Sequence, residues 1–411
     1  MLGEFNDNNT TGAAAAVARN LRRWPVAYRA AQQLNTTVRD LKKTIRKSRR
    51  RLRGTPAHHS TVGRAPYNTR PWRTLEVGHR MTHILPLIAR HLDDLVPDET
   101  AVHDAFRTVV EQHGAVLATM PGLIWPDADH NHYLMECLGL LHAAIAFPDL
   151  PEADGWLAQA MAELERCADA QFTQDGGHVE ACPHYHNVSV YLLAEAFRVA
   201  QPTGKQFSER AQATLARSLD HCLQTLRPDG TGVPVGDSDA DQLAVQATLF
   251  GYLATGDAGP LRAVARLTGL DAVRGVCVER FASIDDPAHI LDLCRAPGRT
   301  HAPTVAHQRQ LGQVTMRTDW SRDAISLLFH CRTPVSNGHV HADPASFDLT
   351  AFGRPLLVDP GRYSYVDNDD RRAVKSAAWH NTLTVDGREP FAYLTSMQWG
   401  PQQPGEITGV H

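Results

Sequence analysis

Hydrophobic residues follow two different periods along the chain, one before about residue 300 and one after it. Between about residues 72 and 270, apolar residues recur at spacings of three and four, which is the pattern of helices with one buried face. Pro, Gly, Asp or Asn bounds each of these segments, as helix ends favour. The pattern predicts helices over 132–147, 155–172, 188–200, 210–226 and 243–254.

Short runs rich in Val, Thr, Leu and Phe replace the helical pattern from about residue 305. They partly alternate between apolar and polar residues and are separated by Gly or Asp-Gly turns, which indicates antiparallel strands. We therefore expect layered helical hairpins, as in a bundle, solenoid or toroid, and then a β-sandwich. So few strands leave the sandwich incomplete, and we expect the chain to be a fragment. The runs are 310–320, 324–332, 345–353, 354–361 and 380–387.

Composition describes an ordinary globular protein, with 43% hydrophobic residues, 21% charged residues and a net charge of -4. That charge gives no argument for nucleic acid as a partner. Residues 1–60 differ from the rest, because the stretch 41–54 carries eight Lys or Arg residues. No aromatic residues that could stack on bases interrupt this stretch. We interpret 1–60 as a solvated basic head, partly disordered or helical.

Cysteine spacing and the lack of a leader constrain the location of the protein. The seven cysteines form no CxxC pair, which argues against a disulfide framework and against a cysteine-rich zinc site. We find neither a signal peptide nor an apolar run of about 18 residues that would span a membrane. We expect a cytoplasmic protein, or a periplasmic or secreted one if its N-terminus is misassigned. The sequence gives no oligomeric state.

One candidate chemical cluster begins the helix predicted over 132–147. Asn131 and His132 stand at the helix start, and Glu136 lies one turn later on the same face as His132. Asn131 could instead serve only as the N-cap of this helix.

A second cluster is "QDGGHVEACPHYHN", residues 174–187, just before the helix predicted over 188–200. Tyr185 stands between two histidines, and a tyrosine near cationic groups can have a lowered pKa and act as an acid or a base. A hydrogen-bonded surface cluster is the alternative. The other candidates in this segment are Glu180, His184 and His186.

The segment "RPDGTGVPVGDSDADQ", residues 227–242, resembles two binding motifs without matching either. Its glycines do not fit the dinucleotide pattern, and Pro234 interrupts them. Its aspartates resemble the start of a calcium loop, but Gln242 and Thr248 stand where that loop needs Gly and Glu. We expect a structured turn that borders the site.

Two segments near the end of the sequence hold groups that bind metals. "SNGHVHADPASFDLTAFGRPLLVDPGRYSY", residues 336–365, contains His339 and His341, which face the same side if the backbone is extended. His341, Asp359 and His380 would make a two-histidine, one-carboxylate set for zinc. Histidines that are only hydrogen-bonded within the fold are the alternative.

Five phrases stand in order between about residue 72 and the end: "HNHYLMECLGLL", "DGGHVEACPHYH", "PVGDSD", "HVHADPASFDLTAFGRPLLVDPGRYSY" and "HNTLTVDG". In this order they resemble the heparinase II/III-like polysaccharide lyases, which include alginate lyases. The resemblance implies an α/α toroid, which we assign to 61–300, and an antiparallel β-sandwich, assigned to 301–411 and truncated at its C-terminus.

The resemblance implies a role for each matching residue in a β-elimination at a uronate. Asn131 and His132 resemble the pair that neutralises the substrate carboxylate, and Tyr185 resembles the catalytic tyrosine. His339 resembles the sandwich histidine that reaches the substrate. His341, Asp359 and His380 resemble the ligands of a structural metal, usually zinc, and no organic cofactor is implied. The remaining candidates, expected to contact substrate, are Glu136, Glu180, His184, His186 and Tyr365.

Three functions follow from these expectations. The first is a lyase whose partner is an acidic polysaccharide. The second is a non-catalytic or biosynthetic carbohydrate-binding protein of the same architecture. The third is a zinc hydrolase built on His341, Asp359 and His380, which would need an open coordination position.

Overall fold

The computed structural model describes residues 72–95, 99–280, 284–296, 302–331, 338–402 and 405–410. The predicted basic head lies outside these residues. Helices precede residue 300 and strands follow it, so the predicted change of structure is confirmed. A π-helical turn, Arg80–Ile84, joins α1 to α2. The described helices before residue 300 are α1 Thr74–His79, α2 Leu85–Leu95, α3 Thr100–Thr119, α4 Pro121–Ile124, α5 Asn131–Ala146, α6 Ala153–Gln171, α7 Pro183–Ala200, α8 Glu209–Gln224, α9 Leu243–Thr255, α10 Gly259–Thr268, α11 Leu270–Glu279 and α12 Pro287–Arg295.

Inner and outer helices alternate along this part of the chain. Helices α5, α7 and α9 are buried around most of their circumference, whereas α6 and α8 bury one face and leave the other to solvent. Each inner helix packs against its neighbours, α5 on α6 and α7, and α7 on α8 and α9. A helix that is apolar all round must be enclosed, and an amphipathic one covers it. This is the arrangement of the predicted α/α toroid. Among the described helices, none combines the length and apolar character needed to cross a membrane.

Helix α7 begins earlier than its hydrophobic pattern predicts. It starts at Pro183, five residues before the predicted start at 188. Proline suits the first turn of a helix, because its missing N–H would have no partner there. His184, Tyr185 and His186 therefore lie on the first turns of α7, and the prediction that they precede the helix was wrong.

The strands are antiparallel, as predicted, and the first five form a meander. Each strand pairs with the next one along the chain, in the order β1-β2-β3-β4-β5. A short helix α13, Asp369–Val374, and a two-stranded hairpin follow this sheet. The strands are β1 Val305–Gln308, β2 Gln313–Arg317, β3 Ser326–His330, β4 Ser346–Ala351, β5 Arg354–Leu357, β6 Tyr393–Thr395 and β7 Gln398–Trp399.

The strand predicted over 380–387 is wrong. These residues form turns, with one isolated bridge between Val385 and Arg388. Side-chain hydrogen bonds, rather than the backbone bonds of a strand pair, hold this segment. Asn381 Nδ2 donates to the backbone oxygens of Phe347 and Val358 at 2.9 and 3.3 Å. Leu383 is 83% exposed, so the apolar alternation that predicted a strand does not mark a buried face here.

A polar sheet face packs against the helical part and fixes their relative position. Arg227, in the loop after α8, donates from Nε to Asp348 Oδ1 on β4 at 3.0 Å. Arg317 on β2 donates from Nη2 to the backbone oxygen of Leu226 at 2.6 Å. Removing one partner of such a buried ion pair is strongly destabilising. Other buried polar residues of the sheet include Gln313, Thr315, Ser326, Ser346 and Thr350.

Candidate active site

The start of helix α5 presents an amide toward a buried carboxylate. His130, in extended conformation, is the N-cap, because its Nδ1 accepts the backbone N–H of His132 at 3.2 Å. The alternative reading of Asn131 as the cap is therefore wrong. Asn131 instead donates from Nδ2 to Glu180 Oε2 at 3.1 Å. The pKa of His132 is lowered to about 4. Burial is the main cause, and the nearby Arg73 and His339 lower it further.

Glu180 lies fully buried between the helical part and the strand-rich part. The residue after it, Ala181, has a φ of 50°, a left-handed conformation that is uncommon for a residue other than glycine. Burial raises the pKa of Glu180, and His339 and Asn131 oppose that effect. Its Oε2 lies 3.7 Å from His339 Nε2, so one carboxyl group contacts two of the predicted catalytic residues.

Tyr185, His339 and Tyr365 form a compact group at the meeting of the two parts. The rings of Tyr185 and His339 stack, with 3.8 Å between centroids and 19° between planes. The hydroxyl of Tyr185 is hydrogen-bonded to that of Tyr365, which is 39% exposed. The structure thus brings Asn131, Glu180, Tyr185, His339 and Tyr365 into one continuous set of contacts.

The pKa of Tyr185 departs from the sequence expectation. Burial raises it, and the neighbouring Tyr365 adds to the effect, whereas we expected cationic neighbours to lower it. His184 lies beside Tyr185, with 5.2 Å between ring centroids, but its Nδ1 is turned to Asp241, and His186 contacts the backbone of Ser218. The pKa of Tyr365 is raised to about 12, again mainly by burial. Both phenols carry their protons at neutral pH in the absence of substrate.

Asp237 is a member of the site that the sequence did not single out. It lies in the loop 227–242, is fully buried, and its Oδ2 lies 3.0 Å from His339 Nδ1. Its Oδ1 lies 2.8 Å from His341 Nε2, so the two histidines reach the same carboxylate. Burial works against its charge, but hydrogen bonds from His339 and His341 hold the pKa of Asp237 well below its usual range. The feature of the sequence that could have indicated Asp237 as a site residue was its place in the phrase "PVGDSD".

Other predicted substrate contacts lie apart from this group. His186 is buried, and its Nε2 lies 3.0 Å from the backbone oxygen of Ser218 on α8. Glu136 is 1% exposed, and burial raises its pKa to about 7. His184 lies nearer, half buried, with Nδ1 2.5 Å from Asp241 Oδ2. Contact of these three residues with substrate stays a prediction.

Family models match most of the chain. The heparinase II/III N-terminus matches residues 40–254, and the heparinase II/III-like C-terminal model matches residues 300–409. The chain belongs to the heparinase II/III family. The resemblance inferred from the five phrases is confirmed.

Relatives in the family are longer than this chain. A heparin-sulfate lyase of Bacteroides stercoris is 22% identical over 268 residues, which cover 64% of this chain and 36% of the relative. A crystal structure of heparinase III is similar with a TM-score of 0.62 and 19% identity, covering 85% of this chain and 51% of its own. The heparan sulfate lyase HepC of Pedobacter heparinus has a TM-score of 0.53 and 21% identity, covering 77% and 46%. These structures confirm the fold class, and the chain spans between about a third and a half of the length of these relatives.

The three predicted metal ligands of this family member converge. Ligand atoms of His341, Asp359 and His380 all lie within 4.8 Å of one another. His380 Nδ1 lies 3.0 Å from Asp359 Oδ2, near the roughly 3.3 Å that separates two ligands on a tetrahedral ion with bonds of about 2.0 Å. All three residues are buried.

The hydrogen bonds of the two histidine rings support the same interpretation. His341 Nδ1 is buried and has no hydrogen-bond partner among the described residues, while its Nε2 is held by Asp237. His380 Nε2 lies 3.0 Å from the backbone oxygen of Val374. A metal-bound histidine characteristically donates its other N–H to a carboxylate or a backbone oxygen. The donor set therefore fits a zinc ion, which His341, Asp359 and His380 would hold.

Proposed function

We propose that this protein is a polysaccharide lyase that cleaves a uronic-acid-containing glycan by β-elimination. The observation that carries the proposal is the stacking of Tyr185 on His339, 3.8 Å between centroids, beside Asn131 and its bond to Glu180. Family relatives described as heparin-sulfate or heparan sulfate lyases make a sulfated glycosaminoglycan the first substrate to test.

The reaction needs three kinds of group. The C5–H bond breaks, its electron pair forms the C4–C5 double bond, and the C4–O4 bond breaks as O4 takes up a proton. A base must reach the C5 proton, an acid must reach O4, and hydrogen-bond donors must stabilise the charge that develops on the carboxylate.

Asn131 and His132 are the proposed donors to the carboxylate. His132 has its pKa lowered to about 4 and is uncharged at neutral pH, so it acts as an N–H donor. Preorganised neutral donors stabilise developing charge strongly where water is excluded. The bond from Asn131 to Glu180 fixes the amide orientation at the helix start.

Tyr185 and His339 are the proposed acid and base. Because its pKa is raised, the Tyr185 hydroxyl retains the proton that the leaving oxygen needs. His339 then takes the C5 proton when that proton faces its ring. For the opposite C5 epimer, we propose that Tyr185 performs both transfers, which requires its phenol to lose its proton before it takes the one from C5.

We further propose that zinc binds His341, Asp359 and His380 and has a structural role. A bound zinc ion would cross-link the segments that carry these residues. The zinc hydrolase alternative needs an open, substrate-accessible position, whereas these side chains are between 1% and 9% exposed. Their burial favours a structural ion.

The test is incubation with a panel of uronic-acid polymers that includes heparan sulfate and alginate. A lyase releases a product whose new C4–C5 double bond absorbs in the ultraviolet, and Tyr185→Phe should release it far more slowly. Binding of a polymer that stays intact would instead support the carbohydrate-binding alternative.

A further inference from the structure

A single buried carboxylate, that of Asp237, contacts the proposed base and a proposed metal ligand at once. Oδ2 lies 3.0 Å from His339 Nδ1, and Oδ1 lies 2.8 Å from His341 Nε2. The backbone N–H of Asp237 also donates to the backbone oxygen of His339 at 2.9 Å. Both the ring and the main chain of His339 are therefore attached to the loop 227–242.

Buried cations keep this carboxylate in place. Arg371 on α13 lies with Nη2 2.6 Å from Oδ1 and 2.7 Å from Oδ2 of Asp237, and it is fully buried. Arg371 Nη1 donates to the backbone oxygen of Arg362 at 2.7 Å, which fixes the guanidinium in turn. Lys375, also fully buried, adds positive charge nearby. A buried carboxylate with such partners acts as a hydrogen-bond acceptor toward both histidines.

An acceptor on Nδ1 determines which nitrogen of a neutral imidazole carries the proton. Asp237 requires N–H at His339 Nδ1, which leaves the lone pair on Nε2. Nε2 faces Glu180 Oε2 at 3.7 Å, on the same side as Asn131. The opposite tautomer would place two acceptors against each other at Nδ1 and leave no lone pair for the C5 proton.

We propose that Asp237 is a positioning residue for the elimination, which fixes His339 in the Nδ1–H tautomer and holds Nε2 ready to accept the substrate proton. The proposal rests on the proposed lyase function. It adds a group from the helical part that has no direct contact with the C5 proton and acts only through His339.

The direct test is the tautomer of His339 in the wild-type protein. Nitrogen NMR of protein labelled at histidine distinguishes a protonated from an unprotonated ring nitrogen, and comparison with His339→Gln assigns the signals. We expect the neutral ring to carry its proton on Nδ1 and its lone pair on Nε2. An Nε2–H tautomer, or a ring protonated at both nitrogens, would overturn the proposal.

The second arm is Asp237→Asn, which keeps the side-chain size but adds an N–H donor. We expect kcat to fall on the order of 100-fold, KM to change less than about threefold, and the His339 signals to move away from the Nδ1–H tautomer. An unchanged tautomer and kcat in folded Asp237→Asn would overturn the proposal. Should Asp237→Asn not fold, the wild-type tautomer decides the matter.

The chain supplies a matched control in Glu195. This buried carboxylate accepts two hydrogen bonds from Arg198, both at 2.7 Å, and lies 3.6 Å from His142, so it has similar partners. Glu195→Gln should lower thermal stability while leaving kcat and the His339 signals unchanged. A wild-type protein that releases no unsaturated product but shows the Nδ1–H tautomer would refute the function and not the tautomer assignment.

Discussion

The Tyr185 ring lies flat against the His339 ring, with 3.8 Å between centroids and 19° between planes. Tyr185 is on the first turns of α7, and His339 comes from the segment between β3 and β4. The proposed acid and the proposed base come from the two parts of the chain and meet at one point.

Tyr185→Phe should lower the rate by a factor of roughly 100 to 10,000, the contribution typical of a general acid or base. The change removes a hydroxyl and its bond to Tyr365 but keeps the ring on His339. Stability should change by only about 1 kcal/mol. Initial rates of unsaturated product and a thermal melt measure the two effects. Equal rates for Tyr185→Phe and wild type would exclude Tyr185 as the acid.

His341→Ala and His339→Ala should separate metal binding from catalysis. His341→Ala removes a proposed ligand and should lose zinc and thermal stability. His339→Ala should keep its zinc and lose rate, because its ring is bound to Asp237 and Glu180 and is outside the metal set. Zinc content by elemental analysis, together with melting temperature and rate, checks both variants. The reverse pattern would mean that the two histidines have exchanged roles.

Glu136→Gln should change how stability depends on pH. Burial raises the pKa of Glu136 from 4.5 to about 7, so the folded protein favours its protonated form. That contribution is complete below pH 4.5 and is lost as the pH rises through about 7. Above this range, Glu136→Gln should be more stable than wild type by on the order of 3 kcal/mol. Urea unfolding of both proteins across this range measures the difference, and parallel curves would contradict it.

Gly361→Ala tests the docking of the segment that carries Tyr365. Gly361 has a φ of +70°, and an added Cβ would lie 2.6 Å from the backbone oxygen of Ser238, beside Asp237. Gly387 is the control, because its φ is +64° and nothing lies within 4 Å of an added Cβ. Both variants incur backbone strain of roughly 1–2 kcal/mol. Gly361→Ala should in addition lower the rate, whereas Gly387→Ala should not, and equal effects on the rate would contradict this packing.

Periodicity alone predicted the helices α5 to α9 and the strands β2 to β5, because their apolar residues recur at regular spacings. It failed over 380–387, where Asn381 and His380 are held by side-chain bonds rather than a ladder. It also placed the start of α7 too late, since the first turn contains Pro183 and polar residues rather than an apolar repeat. Both exceptions include residues of the candidate site, His380 in the first and Tyr185 in the second.

Most of the site depends on contacts between residues far apart in sequence. The resemblance supplied Tyr185, His339 and the metal set, and the structure brings them together. Asp237 and Arg371 were not predicted, because nothing in the spacing of "GDSD" indicates that a buried guanidinium and two histidines share its first carboxylate. Burial likewise raised the pKa of Tyr185 against expectation, and burial is a tertiary property.

The most direct test of the lyase claim is mass spectrometry of the products formed from a cleaved polymer in water enriched in heavy oxygen. Elimination consumes no water, so the account predicts unsaturated ends and no heavy oxygen at the cleaved bond. Products with saturated ends that carry one heavy oxygen per cleavage would identify a hydrolase and contradict the central claim.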